Sequence, residues 1–193
     1  MSAVADPFAP EALRSVPAPL FHVEHVREKR DPFALPVLAL DLGESMGFAL
    51  RTSACVTSGA MKWTLRSHEK HGDRLLRIWR WLHEIHTATP LSLIAYEIVH
   101  HMGPKQVMAA HAWAQYQGVV EMFAARKSIP VKTIAVSTLK KAITGRGVFK
   151  KTEAQTASEI GKVAMIEAVR ALGYQPDTHD EADAIGVLEW ATR

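Results

Sequence analysis

The feature that most constrains this chain is a short apolar run carrying a single carboxylate, and it occurs twice: Pro36-Val-Leu-Ala-Leu-Asp41, and the stretch 91–99 with Glu97 inside Leu-Ile-Ala-Tyr-Glu-Ile-Val. Each run is shorter than a typical buried helix and suits a strand covered on both faces. Such strands need helices above and below the sheet. A carboxylate at such a position is costly unless it emerges at the sheet edge or binds a cation. A solvent-facing strand end explains Asp41 or Glu97 taken singly, but explains both together less well.

The rest of the pattern alternates strands and helices. Gly43 and Gly47 mark a turn after the first strand, and 48–52 and 56–65 read as two further strands of a meander. From 69 to 87 the spacing is helical, with Leu75, Leu76, Ile78, Trp79, Leu82 and Ile85 on one stripe and Pro90 ending it. After the Glu97 strand, Pro104 opens a long helix reaching about Arg126, and 130–136 is another β-rich run. Ser137 is suited to cap the next helix and Gly145 to end it, and two more helices are expected over 152–172 and 179–191. The result is an α/β layer fold with a mixed sheet, occupying 35–193. Residues 1–34 hold five of the ten prolines and no sustained periodicity, so they read as a flexible N-terminal extension.

With 48% apolar residues, the 193-residue chain can bury a sizeable core. No apolar run approaches the roughly 20 residues needed to span a bilayer, and the first residues lack the basic and apolar regions of a secretion signal. Cys55 is the single cysteine, which excludes an intrachain disulfide and a Cys-x-x-Cys zinc site. The His68/His71 and His83/His86 pairs therefore lack cysteine partners. The expectation is a cytoplasmic protein with no membrane partner.

The net charge of +3 is modest but unevenly spread. Between 126 and 170, ten basic residues (Arg126, Lys127, Lys132, Lys140, Lys141, Arg146, Lys150, Lys151, Lys162, Arg170) face three acidic ones (Glu153, Glu159, Glu167). A segment of this kind attracts a polyanion, although a solvated lysine-rich face is the plainer alternative. Lys140 and Lys141 fall in a first helical turn, where cations oppose the helix dipole, and a docked anion would remove the conflict. Ser137, Lys140 and Lys141 are accordingly read as a phosphate-contacting end.

A third acidic element is His179-Asp180-Glu-Ala-Asp183-Ala-Ile-Gly. Asp180 and Asp183 are three apart and share a helix face. Thr178 and Glu181 fit a capping box, and Asp180 suits a helix N-terminus. Neither accounts for Asp183, which lies beyond the first turn beside the small residues Ala182, Ala184 and Gly186.

Taken in order, Val-Leu-Ala-Leu-Asp41-Leu-Gly-Glu-Ser-Met-Gly, Ala-Tyr-Glu97-Ile-Val-His-His-Met-Gly and His-Asp180-Glu-Ala-Asp183-Ala-Ile-Gly resemble the first hairpin, the second acidic strand and the closing D-x-x-D helix of RuvC-type Holliday junction resolvases. The likeness extends over nearly all of 36–191. It implies an RNase H-like fold, a mixed five-stranded sheet flanked by helices, and a crossover junction endodeoxyribonuclease. By that resemblance Asp41, Glu97, Asp180 and Asp183 bind two ions of Mg²⁺ or Mn²⁺, with Asp41 bridging them. Such ions activate a water and stabilise the leaving oxygen in phosphodiester hydrolysis. The family's lysine near the scissile phosphate corresponds to Lys162, with Lys150 or Lys151 as alternatives because 149–160 is longer than the usual connection. Arg146 joins Lys150 and Lys151 as a DNA contact. The base-stacking aromatic three residues after the strand glutamate is replaced by His100, which leaves the junction-opening role open. The partners implied are a four-way DNA junction and a second copy of the chain, a homodimer held partly by the helix opened by Pro104, in a bacterial cell or a phage-infected host.

Three other readings compete. A nuclease of the same fold could act on other branched DNA, replication forks or RNA-DNA hybrids, since substrate choice lies in loops and dimer geometry. A non-catalytic DNA-binding module would gain nothing from four carboxylates that repel phosphate. An actin-like ATPase beginning at Asp41-Leu-Gly fails on length and on the lack of a second phosphate loop.

Overall fold

The computed structural model describes residues 22–25, 35–99 and 107–193. A mixed sheet forms its centre: β1 (His22–His25), β2 (Val37–Asp41), β3 (Ser45–Arg51), β4 (Val56–Lys62), β5 (Leu93–Ile98) and β6 (Val131–Ala135) lie in the order β1-β4-β3-β2-β5-β6. β2, β3 and β4 are an antiparallel meander, while β5 and β6 run parallel to β2. These are the five strands expected from the sequence. His22–His25, from the stretch set apart as an extension, adds a sixth by pairing with the outer edge of β4. The helices are α1 (His71–Ala88), α2 (Val107–Lys127), α3 (Val136–Thr144), α4 (Ala157–Ala171) and α5 (His179–Ala191). Among the described residues no helix is long and apolar enough to cross a membrane.

Side-chain alternation along each strand sorts the core into two layers. Leu38, Leu40, Phe48, Ile94 and Tyr96 face α1 and α2, where they meet Trp63, Ile78, Trp79, Trp81, Leu82, Tyr116, Val120 and Phe123. Phe48 and Trp63 both meet Trp81 edge-on, and Trp79 meets Phe123 the same way. The buried arc of α1 is wider than the expected stripe and takes in Trp81 and Arg74, because the helix packs on α2 as well as on the sheet. Arg74 lies over the ring of Tyr116 at 5.2 Å.

The opposite layer is built from Val37, Ala39, Ala49, Ala95 and Ile134 of the sheet with α3, α4 and α5. Alanines on the strands and Ala182, Ala184 and Gly186 on α5 allow a close approach. A Cβ at Gly186 would come within 3.2 Å of Met165 on α4. At Gly47 it would lie only 1.8 Å from the main-chain oxygen of Asp180, so this strand residue has room for no side chain. α5 is then pinned along its length by polar contacts. Arg51 bonds Glu189 at 2.6 Å and the Tyr174 hydroxyl at 2.9 Å, Ser58 donates to Glu181 at 2.7 Å, and Ser45 donates to Asp180 at 2.6 Å.

Helix ends follow the sequence with three exceptions. Gly145 ends α3 in the left-handed region, at φ 77°. Thr156 caps α4 in a reciprocal box with Glu159, so α4 starts later than the expected 152. Ser137, however, is not the cap of α3: β6 passes directly into the helix, the extended residue at the junction is Ala135, and Ser137 lies exposed in the first turn. Thr178 caps α5 by accepting from the Glu181 amide at 3.1 Å. The Glu181 carboxylate does not close the expected box. It accepts from the Asp177 amide and from Ser58, across the layer, and is buried.

Candidate active site

The same alternation that builds the alanine layer carries two acids onto it. β2 and β5 are parallel neighbours with Val37 beside Leu93 and Ala39 beside Ala95. The next residues on that face are Asp41 and Glu97, on strands about 4.8 Å apart. α5 crosses the same face, against β2 and β3, and its first two turns bring Asp180 and Asp183. The structure therefore gathers all four carboxylates singled out in the sequence at one end of the sheet.

Their electrostatics record the crowding. Asp41 is half-buried, and removal from water raises its pKa well above the ordinary aspartate value, with Asp183, Glu97 and Asp180 adding to the rise and Lys162 opposing it. Burial likewise pushes Glu97 up to about 7, aided by Asp183 and opposed by Lys140. Asp183 is raised to about 6, again mainly by burial, with Lys140 opposing. Such a cluster has more negative charge than its lysines offset, and its donors are all carboxylate oxygens. That donor set fits a hard divalent cation. Among the described residues no three His, Cys, Asp or Glu side chains are drawn together at metal-ligating distance, so the cluster is open. Asp180 is engaged instead with Ser45 on one oxygen and lies 2.7 Å from His179 Nδ1 on the other.

The basic residues divide into two groups. Lys140 is half-buried and turned toward the acids. Its Nζ lies 3.4 Å from the position a Cβ on Gly161 would take, and its charge acts on both Glu97 and Asp183. Lys162, on the first turns of α4, is also half-buried, with Nζ 3.0 Å from His179 Nε2. Lys141, Arg146, Lys150 and Lys151 are exposed, as is Ser137. Lys140 and Lys141 are thus not equivalent, although the sequence presents them as a pair. His100 lies outside the described residues.

Ser45 and His179 are members of the site that the residue pattern did not single out. His179 adjoins Asp180 within the acidic motif, which is a signal of sorts. Ser45 has none, because its partner lies 135 positions away.

Residues 45–188, most of the chain, match the protein family described as crossover junction endodeoxyribonuclease RuvC. The chain belongs to the RuvC family. RuvC proteins are structure-specific, divalent-metal-dependent junction endonucleases, and this chain is one of them. The matched span includes Glu97, Lys140, Lys162, Asp180 and Asp183, and begins four residues after Asp41. The fold is similar to that of Thermus thermophilus RuvC in complex with a Holliday junction substrate, at a TM-score of 0.59 and 19% identity over 80% of this chain and 90% of that one. A second structure of Thermus thermophilus RuvC gives 0.52 and 17% over 79% and 90%. Comparison with curated proteins gave no sequence match.

Proposed function

We propose that this RuvC-family chain resolves four-way DNA junctions by paired symmetric cuts, with Asp41, Glu97, Asp180 and Asp183 as its metal-binding carboxylates. The observation that carries the reading is the parallel register of β2 and β5, which sets Asp41 beside Glu97 on the face that α5 covers. Two ions of Mg²⁺ or Mn²⁺ bound there would supply a polarised water and stabilise the departing oxygen. The protein's own residues do the remaining work. Asp41 and Glu97 sit on rigid central strands and so fix the place of attack. Asp183, one turn into α5, faces them across a layer thinned by alanines. Lys140 and Lys162 stand at the rim, where an ammonium group neutralises a phosphate drawn toward the acids. Lys141, Arg146, Lys150 and Lys151 form an exposed basic band suited to hold the duplex away from the cut.

Symmetric cuts require two sites related by a two-fold axis, and therefore a homodimer. α2 offers a surface for one. Tyr116, Val119, Val120, Phe123 and Ala124 fill the core, while Val107 (50% exposed) and Met122 (58%) face outward with Ala114, Gly118 and Ala125. The chain would act in the cytoplasm, where such junctions arise, in a bacterial cell or a phage-infected host.

Cleavage of labelled four-way, three-way and linear DNA with Mg²⁺ tests the proposal. Four-way junctions should be cut in opposed strands at symmetric positions, and Asp41→Asn, Glu97→Gln and Asp183→Asn should each lower the rate by about 10³-fold. That is what loss of several kcal/mol of charge stabilisation amounts to. Junction binding should persist in all three. Equal cutting of linear duplex, or normal cutting by two of the three variants, would refute it.

A further inference from the structure

Resting on the nuclease reading above, we infer that Arg66, Arg77 and Arg80 form a second DNA contact, which takes a backbone phosphate of a junction arm on the side of the acids away from Lys141, Arg146, Lys150 and Lys151. The three arginines line a cleft of about 320 Å³ between the 63–70 connection and α1. Glu69 and Asp73 share the cleft, but both are committed locally. Glu69 accepts from the Arg66 amide at 2.9 Å and pairs with Arg77 at 3.1 Å, and Asp73 accepts from the Lys70 amide at 2.8 Å. Arg77 also donates to the Thr64 carbonyl at 2.8 Å and lies over the Trp63 ring, so its guanidinium is fixed before any ligand arrives. The Nε atoms of Arg77 and Arg80 find no hydrogen-bond partner among the described residues. Three guanidinium groups against two carboxylates leave one positive charge, which matches the single negative charge of a phosphodiester. The planar fork of an arginine also suits its paired oxygens.

The cleft lies at the end of the sheet where the acids gather. Lys62, the last residue of β4, pairs with Ser45 on β3, and Ser45 donates to Asp180. The Trp63 amide then bonds the Glu44 carbonyl in the β2–β3 turn at 2.8 Å, which holds the start of the connection at that end. α1 stands over the meander, with Trp81 against Phe48 of β3 and against Trp63, whereas α3 packs on β5 and β6. The arginines and the exposed basic band therefore flank the carboxylates from two sides. Acids repel phosphate until metal neutralises them, so positive charge on both sides draws DNA across the site rather than past it. Two arms lead away from each crossover point of a junction. The basic band takes one of them and the arginine cleft takes the other.

Binding of the full chain to a labelled four-way junction, measured against salt with no divalent metal, tests the contact. The neutral double variant Arg66→Gln with Arg80→Gln should bind about 10-fold more weakly at a fixed salt concentration. Its slope of log affinity against log salt should fall by about 0.9, the value of one phosphate. Arg66→Lys with Arg80→Lys, which keeps both charges, should hold the slope of the wild type. Ethylating the junction phosphates one at a time should reveal, on one arm, a group whose neutralisation weakens the wild type and leaves the neutral variant unaffected. An unchanged slope in the neutral variant would show that the arginines face only water, and an equal loss in the lysine variant that they serve local structure. Either result, or identical ethylation patterns, would overturn the inference. If the wild type binds junctions with the arginine-dependent slope but cuts none, the nuclease reading fails and the contact stands. If it cuts them while the neutral variant binds as the wild type does, the contact alone fails.

Discussion

The two faces of the sheet are built from different materials. Toward α1 and α2 the strands present Leu38, Leu40, Phe48, Ile94 and Tyr96 against tryptophans and phenylalanines, and the layer is held by apolar area. Each such side chain contributes roughly 1.5–3 kcal/mol when fully buried. Toward α5 the same strands present Ala39, Ala49 and Ala95, then the acids Asp41 and Glu97. Here bulk is given up so that a helix carrying more acids can come close, and the polar contacts of Ser45, Ser58 and Arg51 hold it in place. One face supplies stability, and the other spends part of it on bringing like charges together.

The sharpest way to break the contrast is to damage each face once. Leu82→Ala on the α1 face should cost about 2–5 kcal/mol of stability, while the molecules that remain folded cut junctions at the wild-type rate. Gly47→Ala on the α5 face should cost about 1–3 kcal/mol by overpacking yet reduce cleavage far beyond its loss of folded protein, because the new methyl displaces Asp180. Denaturant titration paired with cleavage measured well below the melting point separates the two. Equal activity per folded molecule in both variants would erase the distinction.

A smaller effect separates the neighbouring lysines. Lys140→Ala should slow cleavage and raise the pKa of Glu97 and Asp183 by removing the charge that opposes their rise. Lys141→Ala should leave the cleavage rate of bound junction unchanged and lower the slope of binding against salt by about one phosphate's worth. Identical behaviour of the two would mean that Lys140 does not face the acids.

These contrasts were only partly legible in the sequence. Asp41, Glu97 and Asp183 stand out because a lone acid in an apolar run, or beyond a helix's first turn, lacks a local explanation. The strand-and-helix order was legible for the same reason, since periods of 2 and 3.6 are local properties. What the residues did not reveal was tertiary. The Ser45–Asp180 and Ser58–Glu181 bonds join segments more than 120 positions apart, and the inward turn of Lys140 depends on α4 packing beside α3. The cap at Ala135 was missed because a strand running straight into a helix leaves no loop in which Ser137 could serve.

The central claim is that burial first, and mutual repulsion second, disfavour the ionised carboxylates on the α5 face until a divalent cation joins them, and thermal melting against pH with and without Mg²⁺ tests it most directly. Acids whose folded-state pKa is raised leave the native state holding more protons than the unfolded chain, so stability falls as pH rises. For Glu97, raised from 4.5 to about 7, and Asp183, raised from 3.8 to about 6, the metal-free protein should lose stability between about pH 4 and 7. Mg²⁺ should restore that loss above pH 7, where the ligands are deprotonated, and do little at pH 5. Asp41→Asn should melt higher than wild type at pH 8 without metal and gain little from adding it. A metal-free melting temperature that climbs from pH 5 to pH 8, or an Asp41→Asn variant that Mg²⁺ stabilises as much as it does the wild type, would contradict the account.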